Sequence, residues 1–444
     1  WTFRGDNFGP EPLYINRATP IYANGGLYTV IGLRRSVVSI DPATGETLWT
    51  FREPHTTRWA RSSRQDAGKG VAYAEIDGRG VIYVVTPGFF LHALDAETGL
   101  PLEGFGRPVP VPGFGDHGTV DLLADLGHPW DPEQGIPPEV GYITNTSPPI
   151  IVNGVVIVGN SNLTGRLDPR RENVPGDILA YDARTGAFLW KFNVIPRPGE
   201  FGHETWENDA WEWSGNINTW PPLSADLERG IVYVTTDAPT NDYFGGHRPG
   251  DNLFGNSVIA INVRTGERLW HFQAIHHDIW DRDFPHPPQL LDVTVDGRQI
   301  PALVQTSKQA FVYAFNRVTG EPIWPIVERP VPQSRVPTER TSPTQPHPTR
   351  PAPYEMHGLT DDDIVDFTPE LRARAMEMLS RWEYGPSLYV PPLHNANAEG
   401  KLGALFCPAA GGGTNIPGGT AGAPETGIIY TASVKSCADF TLVP

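Results

Sequence analysis

One short motif recurs along this chain and restricts its fold more than any other feature. Each copy begins with Asp or Asn, has Thr-Gly three and four positions later, and in four of the five copies ends on Trp. The Asp or Asn side chain can cap a turn, and Gly can take the left-handed conformation that closes it. Because a strand-like run precedes each copy, the motif predicts the hairpin turns of a repeated β-unit. The copies are 41–49, 95–99, 182–190, 262–270 and 316–324.

The spacing of the copies separates two repeat architectures. The motif glycines are 54, 87, 80 and 54 residues apart, which is too irregular for a solenoid but fits propeller blades with insertions between them. A blade needs about four strands, and further strand-like runs lie between the turns. The sequence therefore predicts an all-β propeller. The further runs are 80–85, 155–158, 230–234 and 427–430.

The composition suits many short strands and narrows the range of partners. Of 444 residues, 47 are Gly, 46 are Pro and 13 are Trp, a mixture that favours tight turns and aromatic packing between layers. The net charge of −17 would repel nucleic acid and anionic membranes. The sequence has no run of about 18 apolar residues, so we expect no membrane span.

The first residues and the cysteines bear on the compartment in which the protein works. The chain begins with Trp1-Thr-Phe, which we interpret as the middle of a strand, so we expect a leader and a first strand to have been removed. Cys407 and Cys437 allow either one disulfide of an exported protein or two reduced thiols. The sequence has no Cys-x-x-Cys-His, so we expect no covalent c-type haem.

A proline-rich segment, 331–392, interrupts the strand pattern. Within it, 368–382 carries the strongest helical signal: Thr368 can cap a helix, Pro369 suits its first turn, and apolar residues recur at helical spacing. We expect this segment to be a lid or a surface excursion over one face, with no catalytic signal of its own.

The most polar stretch of the chain is 276–283, which reads His-His-Asp-Ile-Trp-Asp-Arg-Asp and follows a strand-like run. Three carboxylates, two imidazoles and an indole are costly to bury unless they are paired or bound to a metal. Composition alone leaves two interpretations open, a solvated hydrogen-bonded loop and a functional site.

The Asp-x-x-Thr-Gly-x-x-x-Trp repeat resembles the tryptophan-docking motif of dehydrogenases that depend on pyrroloquinoline quinone (PQQ). That family of eight-bladed propellers includes methanol, ethanol and membrane-type glucose dehydrogenases. The resemblance runs through nearly all of the chain and is closest to the glucose-dehydrogenase-like branch, through 276–281 and 329–334. It implies a single PQQ-binding domain over 1–444. The sequence has five motif turns, whereas members of the family have eight blades. Family members also continue beyond the residues that match 442–444, so the resemblance implies that the C-terminal blades are incomplete.

The resemblance assigns roles to four residues around the cofactor. Asp281 holds the position of the family's catalytic base. Lys308 follows it by 27 residues, the separation found in glucose-type members, where a cation would stabilise charge that develops on the cofactor oxygen. Trp220 matches the tryptophan floor beneath the cofactor ring, and Asn218 is the polar residue two positions earlier. Without the resemblance, Lys308 would be a solvent-facing lysine on a strand and Trp220 an inter-blade packing residue.

The metal site is the least complete match. Calcium prefers several hard oxygen ligands, but the Asn position of alcohol-type members falls on Ala238, which cannot ligate. The glucose-type pattern indicates Thr240 instead, and the Glu position falls near Thr164. Asp281 and Asp283 complete the expected ligands. Since lanthanide-dependent methanol dehydrogenases also have an Asp two residues after the base, the resemblance implies Ca²⁺ or a lanthanide. Alternative ligands nearby are Asp237, Asp242, Asn160 and Asn162.

Smaller matches complete the expected cofactor site. Lys69 holds the position of a basic residue that pairs with a cofactor carboxylate, although an exposed loop lysine fits the sequence equally well. Thr86 and Ser161 match hydroxyl contacts, and Asn415 matches an amide contact beside glycines that let the backbone approach closely. The adjacent-cysteine disulfide of many alcohol-type members is absent from the sequence, which points away from methanol dehydrogenase.

The activity implied by the resemblance is oxidation of a hydroxyl group to a carbonyl by hydride transfer to PQQ. An aldose is the first choice of substrate, and a bulky secondary alcohol or a primary alcohol is the second. The electrons would pass to an external cytochrome c or quinone, in the periplasm or outside the cell. One alternative is a non-catalytic propeller scaffold or binding protein. Another is a polysaccharide-binding or hydrolytic propeller with paired carboxylates in one cleft, for which Glu204, Glu207 and Asp209 are the nearest candidates.

Overall fold

Consecutive strands form small sheets that follow one another along the chain. The computed structural model describes residues 1–8, 17–32, 34–65, 68–162, 170–409, 412–414 and 419–443. Within these ranges, four sheets have four strands each, and hydrogen-bonded neighbours are consecutive along the chain. The first sheet contains β1 (Ile21–Ala23), β2 (Gly26–Ile31), β3 (Ser36–Ile40) and β4 (Thr47–Phe51); the second β5 (Ala72–Ile76), β6 (Arg79–Val85), β7 (Phe90–Asp95) and β8 (Thr119–Asp121); the third β9 (Ile150–Val152), β10 (Val155–Val158), β11 (Ile178–Asp182) and β12 (Phe188–Phe192); the fourth β13 (Ser224–Asp226), β14 (Ile231–Thr235), β15 (Ser257–Asn262) and β16 (Arg268–Gln273).

The rest of the described chain forms smaller sheets and a few short helices. Strand pairing is antiparallel except between Leu393–His394 and Ala438–Leu442, which run parallel. The fifth sheet contains β17 (Gln289–Val295), β18 (Arg298–Thr306) and β19 (Val312–Asn316); further sheets pair β20 (Ile326–Pro330) with β21 (Thr344–Pro348), β22 (Leu393–His394) and β23 (Ala404–Phe406) with β26 (Ala438–Leu442), and β24 (Thr420–Ala423) with β25 (Ile428–Thr431). The helices are α1 (Thr57–Arg61), α2 (Pro369–Leu379) and 3-10 turns at Gly5–Phe8, Leu122–Asp125, His203–Thr205, Glu207–Glu212 and Asp361–Asp363. The all-β class is therefore confirmed, and the four predicted strand runs lie in β6, β10, β14 and β25.

Apolar side chains fill the interfaces between neighbouring sheets. Every residue of β10 and of β14 is buried, as expected for continuous Val- and Ile-rich strands covered on both faces. One core cluster joins Tyr28 and Val30 of the first sheet to Val84 of the second. Similar clusters join the second sheet to the third, the third to the fourth and the fourth to the fifth. The core is thus distributed over the interfaces between consecutive sheets.

The five motif turns have the geometry that the sequence predicts. Their glycines have φ between 69° and 78°, a left-handed conformation that glycine adopts without a steric penalty. In the first turn, Asp41 Oδ1 accepts hydrogen bonds from the backbone N–H groups of Ala43 and Thr44 at 2.8 and 2.9 Å. The Asp side chain therefore caps the turn that the glycine closes.

A tryptophan from one sheet packs on the motif turn of the next. The indole of Trp49 covers Gly99, where a Cβ atom would lie 2.5 Å from the ring, and Nε1 donates to the carbonyl of Ala96 at 2.9 Å. The same contact joins Trp1 to Gly45, Trp190 to Gly266 and Trp270 to Gly320. The turn at Gly186 packs on Val120 instead, because the preceding copy of the motif has no Trp.

The start of the chain differs from the prediction. Residues 1–4 lie outside any strand, so the interpretation of Trp1-Thr-Phe as mid-strand is wrong. Trp1 packs on Gly45, and its Nε1 donates to the carbonyl of Pro42 at 3.1 Å. Phe3 stacks on Phe8 with ring centroids 5.5 Å apart. The apolar residues that suggest a strand are held by tertiary contacts instead.

The proline-rich segment is only partly on the surface. Its predicted helix is present as α2, which begins after Thr368; the hydroxyl of Thr368 accepts from Leu371 N–H at 3.2 Å, and no residue of α2 is buried. By contrast, Leu388, Tyr389 and Val390 belong to the core cluster between the fourth and fifth sheets. The prediction of a surface excursion is therefore wrong for this part, because its apolar side chains pack into a core that the proline content does not reveal.

Two remaining structural points concern the cysteines and the helices. Cys407 and Cys437 form a disulfide, which selects one of the two possibilities left open by the sequence. Among the residues that the structure describes, we find no helix with the length and apolar character needed to cross a bilayer.

Candidate active site

Loops from two neighbouring sheets converge on one group of polar side chains. Asp237 comes two residues after β14, the 276–283 loop follows β16, and Lys308 comes two residues after β18. Because β14 and β16 run in the same direction within an antiparallel sheet, their C-terminal ends lie at the same edge. Trp220 precedes the first strand of that sheet.

Three carboxylates and one ammonium group meet at this edge. One oxygen from each of Asp237, Asp281 and Asp283 lies within 4.8 Å of the other two. Lys308 Nζ is 2.6 Å from Asp281 Oδ1 and also forms an ion pair with Asp283. The side chain of Asp281 is 18% exposed, whereas that of Asp283 is fully buried. Asp281 is therefore the member of this pair that is exposed to solvent.

Burial and mutual repulsion control the protonation of the cluster. Burial raises the pKa of Asp281 well above its ordinary value; Lys308 opposes this shift, and Asp242, Asp283 and Asp237 add to it. The pKa of Asp237 is raised by burial and then by Asp283 and Asp242. Burial would lower the pKa of Lys308, but the surrounding carboxylates raise it well above its ordinary value. An additional cation would relieve the repulsion among the carboxylates.

Trp220 places a flat aromatic surface beside the carboxylates. Its Nε1 donates to Asp283 Oδ2 at 2.5 Å, and its carbonyl accepts from Lys69 and Ser147. The ammonium nitrogens of Lys69 and Lys308 lie 4.2 and 5.9 Å from the indole centroid, within the range of a cation–π interaction. The structure thus brings Lys69, Trp220 and Lys308 together, as the sequence predicts.

Lys69 lies in a positive environment. It is 9% exposed, so it is not the exposed loop lysine that the sequence also allowed. Burial lowers its pKa well below the ordinary value, and Arg17, Arg64 and Arg35 lower it further, while Asp283 opposes the shift. A buried cation surrounded by arginines favours an anionic ligand, because negative charge compensates the repulsion.

Asn218 orients one of the buried carboxylates. Its Nδ2 donates to Asp237 Oδ2 at 2.9 Å and to Asn216 Oδ1 at 2.5 Å, and Asp237 Oδ1 accepts from the N–H of Ala238 at 2.7 Å. Asn218 Oδ1 is buried and accepts no hydrogen bond from the described part of the chain, so it is free to accept one from a ligand. The sequence indicates Asp237 only as an alternative metal ligand, whereas the structure places it in the carboxylate cluster.

Asp281 is held by contacts that the sequence does not indicate. The hydroxyl of Tyr243 donates to Asp281 Oδ2 at 3.2 Å, yet no motif marks this residue among the 14 tyrosines. Asp281 itself has a φ of 56°, which is uncommon for residues other than glycine. Within the loop, Asp278 accepts from the N–H groups of Trp280 and Arg282 at 2.8 and 2.9 Å. These contacts fix the orientation of the candidate base.

Three further predicted site residues are buried and hydrogen-bonded within the protein. Thr240 Oγ1 accepts from Asn173 Nδ2 at 2.9 Å. Thr86 Oγ1 lies 3.3 Å from His92 Nε2, and Ser161 forms a β-bridge through its backbone. Their contacts with a metal or a cofactor stay predictions.

Two predicted site residues, Thr164 and Asn415, lie outside the described residues. The glycines just before Asn415 do approach the site. Gly413 N–H donates to the carbonyl of Lys308 at 3.0 Å, and a Cβ atom at Gly412 would lie 2.5 Å from Lys308 Cα. A side chain at Gly412 is therefore excluded by the backbone of Lys308.

The carboxylates considered for a hydrolytic propeller are on the surface. Glu204, Glu207 and Asp209 are all exposed, and Glu207 accepts two hydrogen bonds from Arg340 at 2.6 Å. The hydrolytic alternative gains no support from this arrangement.

Comparison with known families identifies the class of protein. The family model described as glucose/ethanol/alcohol dehydrogenase, PQQ β-propeller domain, matches residues 1–444. The chain belongs to the PQQ dehydrogenase family. The family predicted from the docking motif and the 276–281 stretch is therefore confirmed.

Curated dehydrogenases whose names specify different substrates are similar to this chain. The large subunit of glycerol dehydrogenase from Gluconobacter oxydans is 33% identical over 336 residues, which cover 73% of this chain and 42% of that protein. The quinoprotein glucose dehydrogenase of Escherichia coli is 29% identical over 350 residues, covering 75% of this chain and 40% of that protein. The chain thus spans about two fifths of the length of these relatives.

Solved structures of PQQ dehydrogenases share the architecture. The quinohemoprotein alcohol dehydrogenase of Pseudomonas putida aligns with a TM-score of 0.56 and 27% identity, covering 70% of this chain and 42% of that structure. The quinohemoprotein alcohol dehydrogenase of Comamonas testosteroni has a TM-score of 0.62 at 21% identity, covering 94% of this chain and 51% of that structure. At that identity the second likeness supports the fold alone.

The polar cluster suits the ligands of a PQQ dehydrogenase. Asp237, Asp281 and Asp283 supply the hard oxygen atoms that Ca²⁺ or a lanthanide prefers. Trp220 supplies a stacking surface, with the positive charges of Lys69 and Lys308 over the ring. That combination of a flat face and positive charge fits an aromatic quinone that carries carboxylates.

Proposed function

We propose that this chain forms the PQQ- and metal-binding site of a dehydrogenase that oxidises a hydroxyl group to a carbonyl. The observation that carries the proposal is the convergence of Asp281, Asp283 and Lys308 beside the indole of Trp220. The four residues come from segments up to 88 residues apart in sequence. A structural ion network would need the charges, but it would not need an aromatic ring beside two ammonium groups.

In this proposal, Asp237, Asp281 and Asp283 hold Ca²⁺ or a lanthanide, with Thr164 and Thr240 as further ligands. The residues that bind PQQ are Lys69, Thr86, Ser161, Asn218, Trp220, Lys308 and Asn415. When bound, PQQ supplies the acceptor for a hydride from the substrate carbon, and the cation supplies Lewis acidity.

Asp281 and Lys308 are the proposed catalytic residues. Asp281 accepts the proton of the substrate hydroxyl, because its side chain is the exposed member of the pair with Asp283. Tyr243 holds Oδ2 of this carboxylate by its hydrogen bond. The ammonium group of Lys308, 2.6 Å from Asp281 Oδ1, keeps a positive charge where negative charge develops.

We also propose a substrate class, an electron acceptor and a compartment, using the names of the relatives and the match at Lys308. The names of two relatives specify glycerol and glucose, and Lys308 matches the glucose-type pattern. We therefore propose an aldose as the first substrate class, with a polyol or a secondary or primary alcohol as the second. We propose that the electrons pass to an external cytochrome c or quinone. The proposed compartment is the periplasm or the cell exterior.

The same proposal includes the finer architecture. We infer that the four-stranded sheets are blades of an eight-bladed propeller and that 1–444 belongs to one PQQ-binding domain with 331–392 as an insertion. The packing of Trp49 on Gly99 and its three equivalents support this inference, because such contacts lock each blade to the next.

The non-catalytic scaffold is the alternative from a different class. Its main argument is a metal site with few carboxylates. Asp237 adds a third carboxylate beside Asp281 and Asp283, which weakens that argument.

Reconstitution tests the proposal. Metal-free protein is titrated with PQQ and Ca²⁺, and separately with PQQ and a lanthanide, while dye reduction is followed with aldoses, glycerol and secondary alcohols. Activity that requires both PQQ and the cation supports the proposal. A folded protein that binds no PQQ would overturn it and favour the scaffold.

The variant Asp281→Asn tests the base, and its cation affinity is measured beside kcat because Asp281 is also a proposed metal ligand. It removes the base with almost no change in shape, so kcat should fall roughly 100-fold or more while PQQ still binds. Asp292→Asn is the matched control, because Asp292 is an exposed partner of Arg317. Substantial turnover by Asp281→Asn would contradict the assignment of Asp281 as the base.

A further inference from the structure

The loop that carries the candidate base is anchored by the proline-rich segment. Gln345 makes a pair of hydrogen bonds with the backbone of His276: its Nε2 donates to the carbonyl at 2.7 Å, and its Oε1 accepts from the N–H at 2.9 Å. Farther along the loop, Trp280 Nε1 donates to the carbonyl of Val390 at 2.8 Å. The segment for which the sequence gives no catalytic signal therefore contacts this loop through Gln345 and Val390.

Glu339, from the same segment, makes a short contact with His277 of the loop. One carboxylate oxygen lies 2.6 Å from His277 Nε2, and the other accepts from the N–H of Gly245 at 2.5 Å. His277 Nδ1 lies 2.8 Å from the carbonyl of Gly250. Both ring nitrogens thus lie within hydrogen-bond distance of an oxygen atom. The two side chains are only 1% and 2% exposed, so removal of either partner leaves a buried polar atom without its hydrogen bond.

Glu339 joins two segments that both lead to Asp281. His277 opens the turn that ends at Asp281, and both residues have left-handed φ values, 51° and 56°. Such conformations persist only where surrounding contacts hold them. Gly245 lies two residues after Tyr243, whose hydroxyl donates to Asp281. A single carboxylate therefore fixes the base-bearing loop relative to the segment that supplies the hydrogen bond to the base.

We propose that Glu339 is a positioning residue for Asp281, acting through His277 on one side and through 243–245 on the other. This inference rests on the proposed role of Asp281 as the base. Misplacement of a catalytic group by about 1 Å costs on the order of 100-fold in rate, so a residue with no part in the chemistry acquires a large effect on turnover.

The test compares Glu339→Ala and Glu339→Gln with Arg340→Ala in the PQQ- and Ca²⁺-loaded protein. Arg340 is the next residue, and its guanidinium pairs with the exposed Glu207 at 2.6 Å, so the control removes an ion pair from the same segment without touching the loop. We expect kcat to fall roughly 10- to 100-fold in Glu339→Ala, with little change in KM or PQQ affinity. The fall should be smaller in Glu339→Gln, and Arg340→Ala should match the parent protein.

Two readouts separate positioning from a general loss of structure. In a double-mutant cycle with Tyr243→Phe, the two losses in kcat should combine less than multiplicatively, because both changes act on the orientation of Asp281. In hydrogen exchange of the cofactor-free protein, the backbone amides of 243–245 and 277–283 should both lose protection in Glu339→Gln. The protection of amides in the β-strands should stay unchanged. If Glu339→Ala does not fold, Glu339→Gln is used for both measurements.

Three results would overturn the inference: unchanged kcat in Glu339→Ala, a multiplicative cycle with Tyr243→Phe, or a fall in PQQ affinity that accounts for the loss of kcat. Failure of the proposed function is distinguishable. An active Asp281→Asn variant removes the base assignment whatever the Glu339 variants do. An inactive Asp281→Asn together with a fully active Glu339→Ala removes only the positioning role.

Discussion

The indole Nε1 of Trp220 donates a hydrogen bond to Asp283 Oδ2 at 2.5 Å. A residue proposed to stack against the cofactor thus orients a residue proposed to bind the metal. Because Asp283 is fully buried and also pairs with Lys308, it has little freedom to take another orientation. The proposed PQQ and metal sites therefore share one contact, and we expect a substitution at Trp220 to change the affinity for the cation.

Trp220→Phe tests this coupling. Phenylalanine keeps an aromatic face but has no hydrogen-bond donor, so Asp283 loses one of the groups that orient it. We expect the affinity for Ca²⁺ or Tb³⁺, measured without PQQ, to fall roughly tenfold, while PQQ binding is weakened less. Trp324→Phe is the control, since Trp324 belongs to a different cluster. An unchanged metal affinity in Trp220→Phe would show that the hydrogen bond does not orient the ligand.

The packing of tryptophan on the motif turns predicts the cost of a single methyl group. Gly99 and Gly78 have similar φ values, 71° and 77°, but a Cβ atom at Gly99 would lie 2.5 Å from the indole of Trp49, whereas none of the described atoms lies within 4 Å of such an atom at Gly78. Both Gly→Ala substitutions should cost about 1 kcal/mol from backbone strain. Gly99→Ala should cost a further 1–3 kcal/mol or so from overpacking. Urea denaturation of the two variants measures the difference, and equal losses would contradict the docking role of Trp49.

His92 predicts a dependence of stability on pH. Burial lowers its pKa to about 3, and its ring nitrogens lie 3.3 and 3.0 Å from the hydroxyls of Thr86 and Thr119. The folded state therefore binds the proton more weakly than the unfolded state, whose histidine pKa is about 6.5. The stabilisation is complete above pH 6.5 and is lost as the pH falls toward 3, by up to about 1.4 kcal/mol per pH unit.

The measurement is the free energy of unfolding between pH 7 and pH 4 for the parent protein, His92→Gln and His117→Gln. Removal of His92 should flatten the dependence on pH, whereas His117 is exposed and its removal should leave the slope unchanged. Parallel curves for His92→Gln and the parent protein would exclude His92 as the titrating group.

Much of the fold could be predicted because it is local. The Asp-x-x-Thr-Gly turns are formed by contacts within five residues, such as those of Asp41 with Ala43 and Thr44. Val- and Ile-rich runs such as β10 and β14 mark strands that are buried along their whole length. The predictions failed at residues 1–4 and at 388–390. Tertiary contacts determine where both segments lie, and the local sequence pattern does not encode those contacts.

For the candidate site too, some residues could be predicted from the sequence and others could not. Asp281 and Lys308 could be predicted from a spacing that the family shares, and the structure pairs them at 2.6 Å. Asp237 enters the cluster only because the ends of β14 and β16 meet at one sheet edge. Tyr243 lies 38 residues from Asp281, and Glu339 lies 62 residues from His277. Neither has a spacing or a neighbouring motif that would distinguish it from other tyrosines and glutamates.

The distribution of the core over interfaces between consecutive sheets has a consequence for synthesis. The first three of these interfaces are formed by stretches that leave the ribosome one after the other, as in the cluster that joins the first sheet to the second, whereas the fourth also includes Leu388, Tyr389 and Val390. In this part of the chain, each new sheet therefore emerges when the sheet it packs against has already been synthesised. Folding of these sheets can begin before the C-terminal residues are made. The indoles of Trp49, Trp190 and Trp270, each in the last strand of its sheet, stay uncovered only until the next turn has been translated, which limits the time during which an aggregation-prone surface is exposed.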